Sequence, residues 1–360
     1  MTFEDVLEIK NGKNQRAVED PNGIYPIYGS GGIMGYANDY ICQADTVIIG
    51  RKGNINKPIY VNEPFWNVDT AFGLEAKKEV LLPKYLYYFC LRFDFERLNK
   101  AVTIPSLTKA DLLKIELDLP DIAIQADVID RLGRLERIIE LRKKELLRLE
   151  VLTQARFVEL FGDPENNTKG YKKEPLQKHA DVLVGYPFKS EGYTERGVGI
   201  VGGYNLMQGF IIWEDCKHWP DTEGFEQYLL KDGDIVIAMD RPWVNGGFKI
   251  ASVDKNHLPA LLIQRTACVR GIDVEQEFLY TLLNSNWFAD HCNITGSLVP
   301  HISNKDINSY EIILPSIEEQ KVYADFFRQI NKSKYGVNHH WRTHAVDPIQ
   351  ILQWLKLQEC

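Results

Sequence analysis

Two short runs group cations with amides directly after strand-like segments. Arg51-Lys52-Gly53-Asn54-Ile55-Asn56-Lys57 offers three cations and two amides before Pro58. Those are the groups that bind phosphate oxygens and the edges of bases. Asp240-Arg241-Pro242-Trp243-Val244-Asn245-Gly246-Gly247 stands at a matching place further along. There Arg241 and Asn245 can read or anchor, and Trp243 can support the loop by packing. Tyr28 and Ser30, within Tyr25-Pro26-Ile27-Tyr28-Gly29-Ser30-Gly31-Gly32, are further candidates, since clustered Gly lets backbone approach a ligand closely. Ser106 and His301, with Lys100, Thr103, Thr295 and Ser297 nearby, could reach a phosphate or serve as caps. Each run alone also reads as a solvated turn; its weight comes from recurrence.

Catalytic constellations are missing. A base methyltransferase needs an Asn/Asp-Pro-Pro-aromatic motif to hold the flipped base, and the sequence has no Pro-Pro pair. Gly12-Lys13 has Leu7 where a phosphate loop requires Gly, and Met34 occupies the third glycine position of a dinucleotide fingerprint. Glu8-Ile9-Lys10 resembles the tail of a nuclease site but has no Asp at suitable spacing upstream. The six Cys form no Cys-x-x-Cys pair, and His339, His340 and His344 have no carboxylate or Cys beside them. The reading is a non-enzymatic chain with no cofactor and no metal of its own.

The elements that must position these loops are duplicated. Residues 102–125 and 297–320 match at an offset of 195: Pro105 with Pro300, Asp111 with Asp306, Ile115 with Tyr310, Leu119-Pro120 with Leu314-Pro315 and Gln125 with Gln320. Polar positions are kept as well as apolar ones, so shared strand periodicity is a poor explanation. Upstream, Asp45-Thr-Val-Ile-Ile resembles Asp234-Ile-Val-Ile-Ala, Thr70-Ala71-Phe72 resembles Thr266-Ala267-Cys268, and Leu81–Tyr85 resembles Val274–Phe278. Leu7–Gly12 and Ala180–Gly185 begin the two units. An extra stretch around Trp213–Tyr228 in the second copy reads as a specificity loop, with Trp213 and Trp219 as local core. Short strand runs broken by Gly, Asn and Pro, then a helix, make each unit mixed α/β.

Between the units the chain changes character. Val128, Leu132, Leu135, Ile139, Leu146 and Leu149 recur at the 3.5-residue period of a coiled-coil seam, which Arg142, Thr153 and Arg156 interrupt. At 1.5 Å per residue such a helix reaches about 58 Å. It should stop at Gly162, with Pro164 beyond. A second helix with Ile317, Val322, Phe326, Phe327 and Ile330 as apolar contacts should break at Tyr335-Gly336-Val337-Asn338. The expected order is a first domain over 1–120, a spacer helix over 121–160, a second domain over 161–316, a shortened helix over 317–334 and an atypical tail over 335–360.

The 360 residues carry a formal charge of -8, which argues against strong, independent, non-specific DNA binding. Residues 1–120 hold 14 basic and 16 acidic side chains; residues 161–316 hold 14 and 21, so the excess acid sits mainly in the second unit. Met1-Thr2-Phe3-Glu4-Asp5 is no secretory signal, and no window is apolar enough to span a membrane. A cytoplasmic protein with reduced thiols is expected.

Together these features resemble the specificity (S) subunit of type I restriction–modification systems. The resemblance is carried by Ile104-Pro105-Ser106-Leu107-Thr108, Leu119-Pro120 and Gln125, by Val299-Pro300-His301-Ile302-Ser303, Leu314-Pro315 and Gln320, by Phe161-Gly162-Asp163-Pro164, and by Tyr25–Tyr36; it covers about residues 1–334. It implies two homologous mixed α/β target-recognition domains separated by a long coiled-coil helix. It implies that each domain reads half of a bipartite asymmetric site in double-stranded DNA. It also implies two methyltransferase (M) subunits using S-adenosylmethionine, and restriction (R) subunits in the full complex. In the family the second helix is long and antiparallel to the first, whereas here it is expected to be short. The competing reading is a protein-interaction scaffold with duplicated domains and a helical spacer.

Overall fold

A computed structural model describes residues 1–99, 105–244, 247–294 and 300–338, the last four as backbone. The first domain contains α1 (Phe3–Val6), β1 (Leu7–Asn11), β2 (Tyr25–Gly29), β3 (Gly32–Ala37), β4 (Thr46–Gly50), β5 (Ile59–Val61), β6 (Trp66–Asn67), β7 (Ala71–Ala76), α2 (Pro83–Arg92) and α3 (Lys109–Leu113). Helix α4 (Ile122–Phe161) follows. The second domain opens with β8 (Lys172–Pro175), β9 (Ala180–Val184), β10 (Val198–Val201), β11 (Lys217–Trp219), β12 (Ile235–Ala238), β13 (Trp243–Val244), β14 (Gly247–Phe248) and β15 (Ile250–Ser252). It closes with β16 (Ala260–Leu262), β17 (Thr266–Gly271), α5 (Gln276–Leu283), α6 (Asn286–His291), α7 (Asn304–Ser309), β18 (Glu311–Leu314) and α8 (Ile317–Asn338).

The domains share one topology. An antiparallel sheet runs β1-β7-β4-β5 in the first and β9-β17-β12-β15 in the second. A smaller sheet pairs β2 antiparallel with β3 and parallel with β6, and β10 repeats this with β11 and β16. The central strands β4 and β12 are buried at every position, because both faces of the sheet are covered. On one side of the first sheet Phe3, Leu7, Val47, Phe72, Leu86 and Phe95 form a single apolar cluster. Ile235, Ile237, Val269, Phe278, Leu282 and Phe288 do the same in the second.

Hydrogen bonds fix the equivalence residue by residue. Phe3 N donates to Ile115 O (2.9 Å), as Leu176 N donates to Tyr310 O (2.8 Å). Gly12 N reaches Ala71 O, and Gly185 N reaches Thr266 O. Thr108 caps α3 by accepting from Asp111 N (3.1 Å), and Ser303 caps α7 by accepting from Asp306 N (3.2 Å). Gln125 and Gln320, both buried, are clamps: their Oε1 atoms accept from Leu82 N (2.9 Å) and Glu275 N (3.0 Å), the caps of α2 and α5. The Nε2 of Gln125 donates to Val80 O and Pro120 O, and that of Gln320 to Pro315 O. The polar matches at offset 195 are therefore caps and clamps, groups whose replacement would strand buried backbone.

Two upstream matches move by one residue. Strand pairing sets Ile49 and Ile237 opposite Phe72 and Ala267, so Thr46, not Asp45, corresponds to Asp234. Asp45 (φ 64) and Gly233 (φ 82) share the left-handed turn before the strand. By the same register Ala71 corresponds to Thr266, and Thr70 to Arg265. A run of Val and Ile fits its neighbour at several registers, whereas a backbone bond fits at one.

Helix α4 is continuous through 40 residues. Its end lies at Gly162, whose φ of 73 suits glycine and whose N–H donates to Val158 O. Leu132 is buried and Val128, Leu135, Ile139, Leu146 and Leu149 are half-buried, while Ile138, Leu141, Leu147 and Val151 are exposed. Thr153, which breaks the apolar pattern, is buried with its hydroxyl donating to Leu149 O (2.7 Å). Phe157 and Phe161 lie among Phe278 and Tyr323, with ring centroids 4.9–5.7 Å apart. At the other end, Glu136 accepts from the Tyr88 hydroxyl (3.0 Å).

Helix α8 differs from expectation at two points. It runs on through Asn338 rather than breaking at Tyr335; a lone Gly in a helix costs about 1 kcal/mol relative to Ala, too little to end it. Val322 faces solvent, and the helix buries Tyr323 and Ala324 instead, with Phe327 buried as expected. The Tyr323 hydroxyl shares a hydrogen bond with Thr281 Oγ1 (2.7 Å), which lets a tyrosine serve in that core. Residues 339–360, with His339, His340 and His344, lie outside the described residues.

Candidate nucleic-acid interface

In the first domain β4 ends at Gly50, and the Arg51–Lys57 loop is held on both flanks. Arg51 N donates to Thr70 O (2.8 Å), Leu107 N to Arg51 O (3.0 Å) and Gly53 N to Pro105 O (3.1 Å). The backbone is thereby pinned while Arg51, Lys52, Asn54 and Lys57 keep exposed side chains. Neither Lys52 nor Lys57 forms an ion pair among the described residues, so both charges are available to an anion. The Arg51 guanidinium lies 5.8 Å from the Phe72 ring centre. Asn56 is committed elsewhere: its Nδ2 donates to Asp94 Oδ1 and its Oδ1 accepts from Phe95 N. One of the loop's two amides is thus structural, and Asn54 is the other.

Gly50 brings a second candidate to the loop. A Cβ there would strike the Asn54 carbonyl and touch the Ser30 side chain, so the β2–β3 turn packs directly against Gly50–Asn54. Ser30, Arg51, Lys52 and Asn54 therefore share one end of the sheet. Lys57 joins that end, two residues before Ile59, which pairs with Ile48. Tyr28 lies beneath, half-buried, its ring edge-on to Phe65 at 5.4 Å, and burial pushes its hydroxyl pKa up.

The second domain repeats the backbone and changes the side chains. The isolated bridge Lys52↔Ser106 recurs as Asp240↔His301, and Met239 N donates to Arg265 O (2.9 Å) where Arg51 N bonded Thr70. Asp240 thus stands for Lys52 and buried Met239 for Arg51. Arg241 stands for Gly53, and both adopt positive φ, 46 and 77. Arg241 is exposed, with its N–H on Pro300 O (3.1 Å). Trp243 packs edge-on to Phe248 at 4.8 Å, a supporting role. Asn245, Lys100, Thr103, Thr295 and Ser297 lie outside the described residues.

Sequence reasoning missed Arg265. Its Nη1 lies 2.8 Å from Asp240 Oδ2, and His301 Nδ1 lies 2.6 Å from Asp240 Oδ1. A carboxylate can only accept, so His301 donates from Nδ1. The available signal was the offset of 195, which sets Arg265 against Thr70; matching Thr70 with Thr266 concealed it.

The extra length of the second copy falls in two places. Strand pairing sets Ala37 against Trp219, so most of it lies in the β10–β11 connection and the remainder before β12. The connection is built around buried Asn205, whose Oδ1 accepts from Gly202 N (2.9 Å). It is tied to the β13–β14 region by Lys249 Nζ donating to Gly203 O and Gln208 Nε2 to Val244 O. Burial lowers the Lys249 pKa. Trp219 packs on Phe188 and Phe225, and Trp213 stacks flat on His257 at 4.5 Å, so both serve as local core.

Among the described residues no group of three or more His, Cys, Asp or Glu is arranged to hold a metal. A cleft of about 460 Å³ in the second unit is lined by Gln154, Gln208, Thr281, Asn284, Asn331 and neighbours, with no His, Cys or Asp. No helix among them is long and apolar enough to cross a membrane. Cys42, Cys90, Cys216, Cys268 and Cys292 are free thiols; burial pushes Cys42 up to about 12.

Two copies of one α/β unit on a long helix, each with a pinned loop of variable side chains, define a duplicated recognition protein. The family model described as "Type I restriction modification DNA specificity domain" matches residues 1–151 and 221–340. The chain belongs to that family, whose role is sequence-specific DNA recognition. It is 26% identical over 309 residues to the type I restriction enzyme MjaVIII specificity subunit of Methanocaldococcus jannaschii, covering 80% of this chain and 70% of the relative. It is 36% identical over 164 residues to the EcoAI specificity subunit of Escherichia coli, covering 43% of this chain and 28% of that one. The fold is similar to the type I S subunit from M. genitalium, with a TM-score of 0.59, 15% identity and coverage of 94% and 92% of the two chains. A structure from a study of type I R-M complex assembly gives a TM-score of 0.52 at 15% identity, covering 98% and 94%.

Proposed function

We propose that this chain reads a bipartite, asymmetric site in duplex DNA, one half per domain. It holds separate adenine methyltransferase and restriction subunits over that site, in the cytoplasm, and has no catalytic role itself. S-adenosylmethionine belongs to the methyltransferase partner. The observation that carries the reading is the recurrence of one backbone bridge with different side chains, Lys52 and Ser106 in one domain and Asp240 and His301 in the other. A binding scaffold duplicated for two different sequences needs that arrangement: constant bonds beneath, variable donors above. The exposed apolar residues Ile138, Leu141, Leu147 and Val151 on α4 suit a protein partner, and two M subunits fill that role. In the first domain Arg51, Lys52, Asn54, Lys57 and Ser30 face the DNA, with Arg241 and Asn245 in the second.

Co-expression with a type I methyltransferase (M) subunit, followed by methylation mapping of host DNA, tests the reading. An asymmetric two-part adenine-methylated motif is expected. A stable complex that neither methylates nor binds duplex DNA removes it in favour of a protein scaffold.

A further inference from the structure

The cluster Asp240, Arg265 and His301 is assembled from three separate segments: the loop after β12, the turn between β16 and β17, and the segment before α7. They meet where the first domain presents Lys52, Thr70 and Ser106. The chemistry differs from that of a phosphate anchor. Lys52 is an exposed cation with no described ion-pair partner, whereas Arg265 is already neutralised by Asp240. A carboxylate 2.8 Å from the guanidinium disfavours an approaching phosphate, which carries the same sign. It does not disfavour the uncharged edge of a base pair.

Arg265 also stands ready in geometry. Its side chain is 73% exposed, so most of the guanidinium remains open while Nη1 rests 2.8 Å from Asp240 Oδ2. His301 holds the other oxygen of that carboxylate, which keeps Asp240 from rotating away. The residue sits at φ 63, a left-handed position that side chains other than Gly and Asn seldom take. Pinning by Met239 N on Arg265 O sustains that backbone. An orientation fixed before binding matters little to a point-charge contact and much to a planar, two-bond one. Guanine offers the matching pair of acceptors, O6 and N7, in the major groove.

We infer that Arg265, oriented by Asp240 and His301, reads a guanine in the half-site recognised by the second domain. The inference rests on the DNA-reading assignment above. Arg265 is the base-contacting residue; Asp240 and His301 are positioning residues.

The test uses the full chain in complex with its methyltransferase partner and a randomised pool of duplex DNA, with the recovered motif compared between variants. Arg265→Lys keeps the charge and the backbone demands of the site, and Asp240→Asn keeps the shape of the buttress. Arg265→Lys is expected to relax discrimination at one guanine of one half-site by about tenfold, with the other half unchanged. Asp240→Asn should loosen the same base pair to a smaller degree. A motif unchanged at every position in Arg265→Lys overturns the inference. So does a uniform loss of affinity across sequences, which marks a phosphate anchor. If the unaltered complex recovers no two-part motif at all, the DNA-reading assignment fails first.

Discussion

Lys52 and Asp240 occupy one place in two copies of one fold, and they carry opposite charge. Around them almost nothing changes: the bridge to Ser106 or His301, the strand order and the Gln clamps at the start of α4 and α8 are shared. The first domain leaves its cations unpaired beside the Ser30 turn. The second pairs an acid with Arg265 and His301, and adds the β10–β11 connection braced by Lys249. What is kept is the set of bonds that satisfies buried backbone; what varies is the layer that only a ligand would meet. The comparison also explains how a chain of charge -8 can serve DNA recognition. The acid in excess belongs mostly to the second domain.

The sharpest contrast lies in how each domain grips α4. In the second, Phe157 is fully buried in an aromatic cluster; in the first, Leu132 and the Tyr88–Glu136 hydrogen bond do the work. Phe157→Ala should cost about 3–5 kcal/mol and Leu132→Ala less, about 2–3. Urea midpoints of the two variants decide it, and equal or reversed losses would break the contrast. The clamps should behave alike: Gln125→Ala and Gln320→Ala each strand a buried N–H and carbonyl, for about 2–3 kcal/mol. Hydrogen exchange at α2 and α5 should locate each loss in its own domain. The loops should behave differently. Arg51→Ala with Lys52→Ala should weaken DNA binding by the complex about tenfold and lower its salt slope by up to about 2, with assembly intact. Unchanged affinity at moderate salt removes that loop from the interface. The smallest effect is again a matched one: Thr108→Ala and Ser303→Ala should each cost about 1 kcal/mol through loss of a helix cap, read as a shift in melting temperature.

Much of this architecture was legible because the repeat preserves side chains with single-register tasks. Thr108 with Asp111, and Gln125 with the α2 cap, fit one geometry each, so offset 195 emerges from residues 102–125 intact. Strands β4 and β12 announce themselves but not their alignment, because Val and Ile satisfy a buried strand at several registers. The true landmark there is a left-handed turn, filled by Asp45 in one copy and Gly233 in the other, two residue types with little in common on paper. A separate one-residue slip, Thr70 set against Thr266, hides Arg265. Gly336 reads as a stop although α8 continues through Asn338, and Val322 reads as an apolar contact although it is exposed, because one face of a half-packed helix leaves apolar residues in solvent. In the candidate interface the cationic loop was visible from composition, whereas the pairing of Asp240 with two residues distant in sequence required the fold.

The added residues between β10 and β12 bring a further consequence. They enter without disturbing a single rung of either sheet in the second domain; the bond from Gly202 N to Asn205 closes within the connection, and Lys249 braces it from the β13–β14 side through Gly203. The connection behaves as an interchangeable bit in a fixed chuck. It can be lengthened, trimmed or replaced without altering the sheets beneath it.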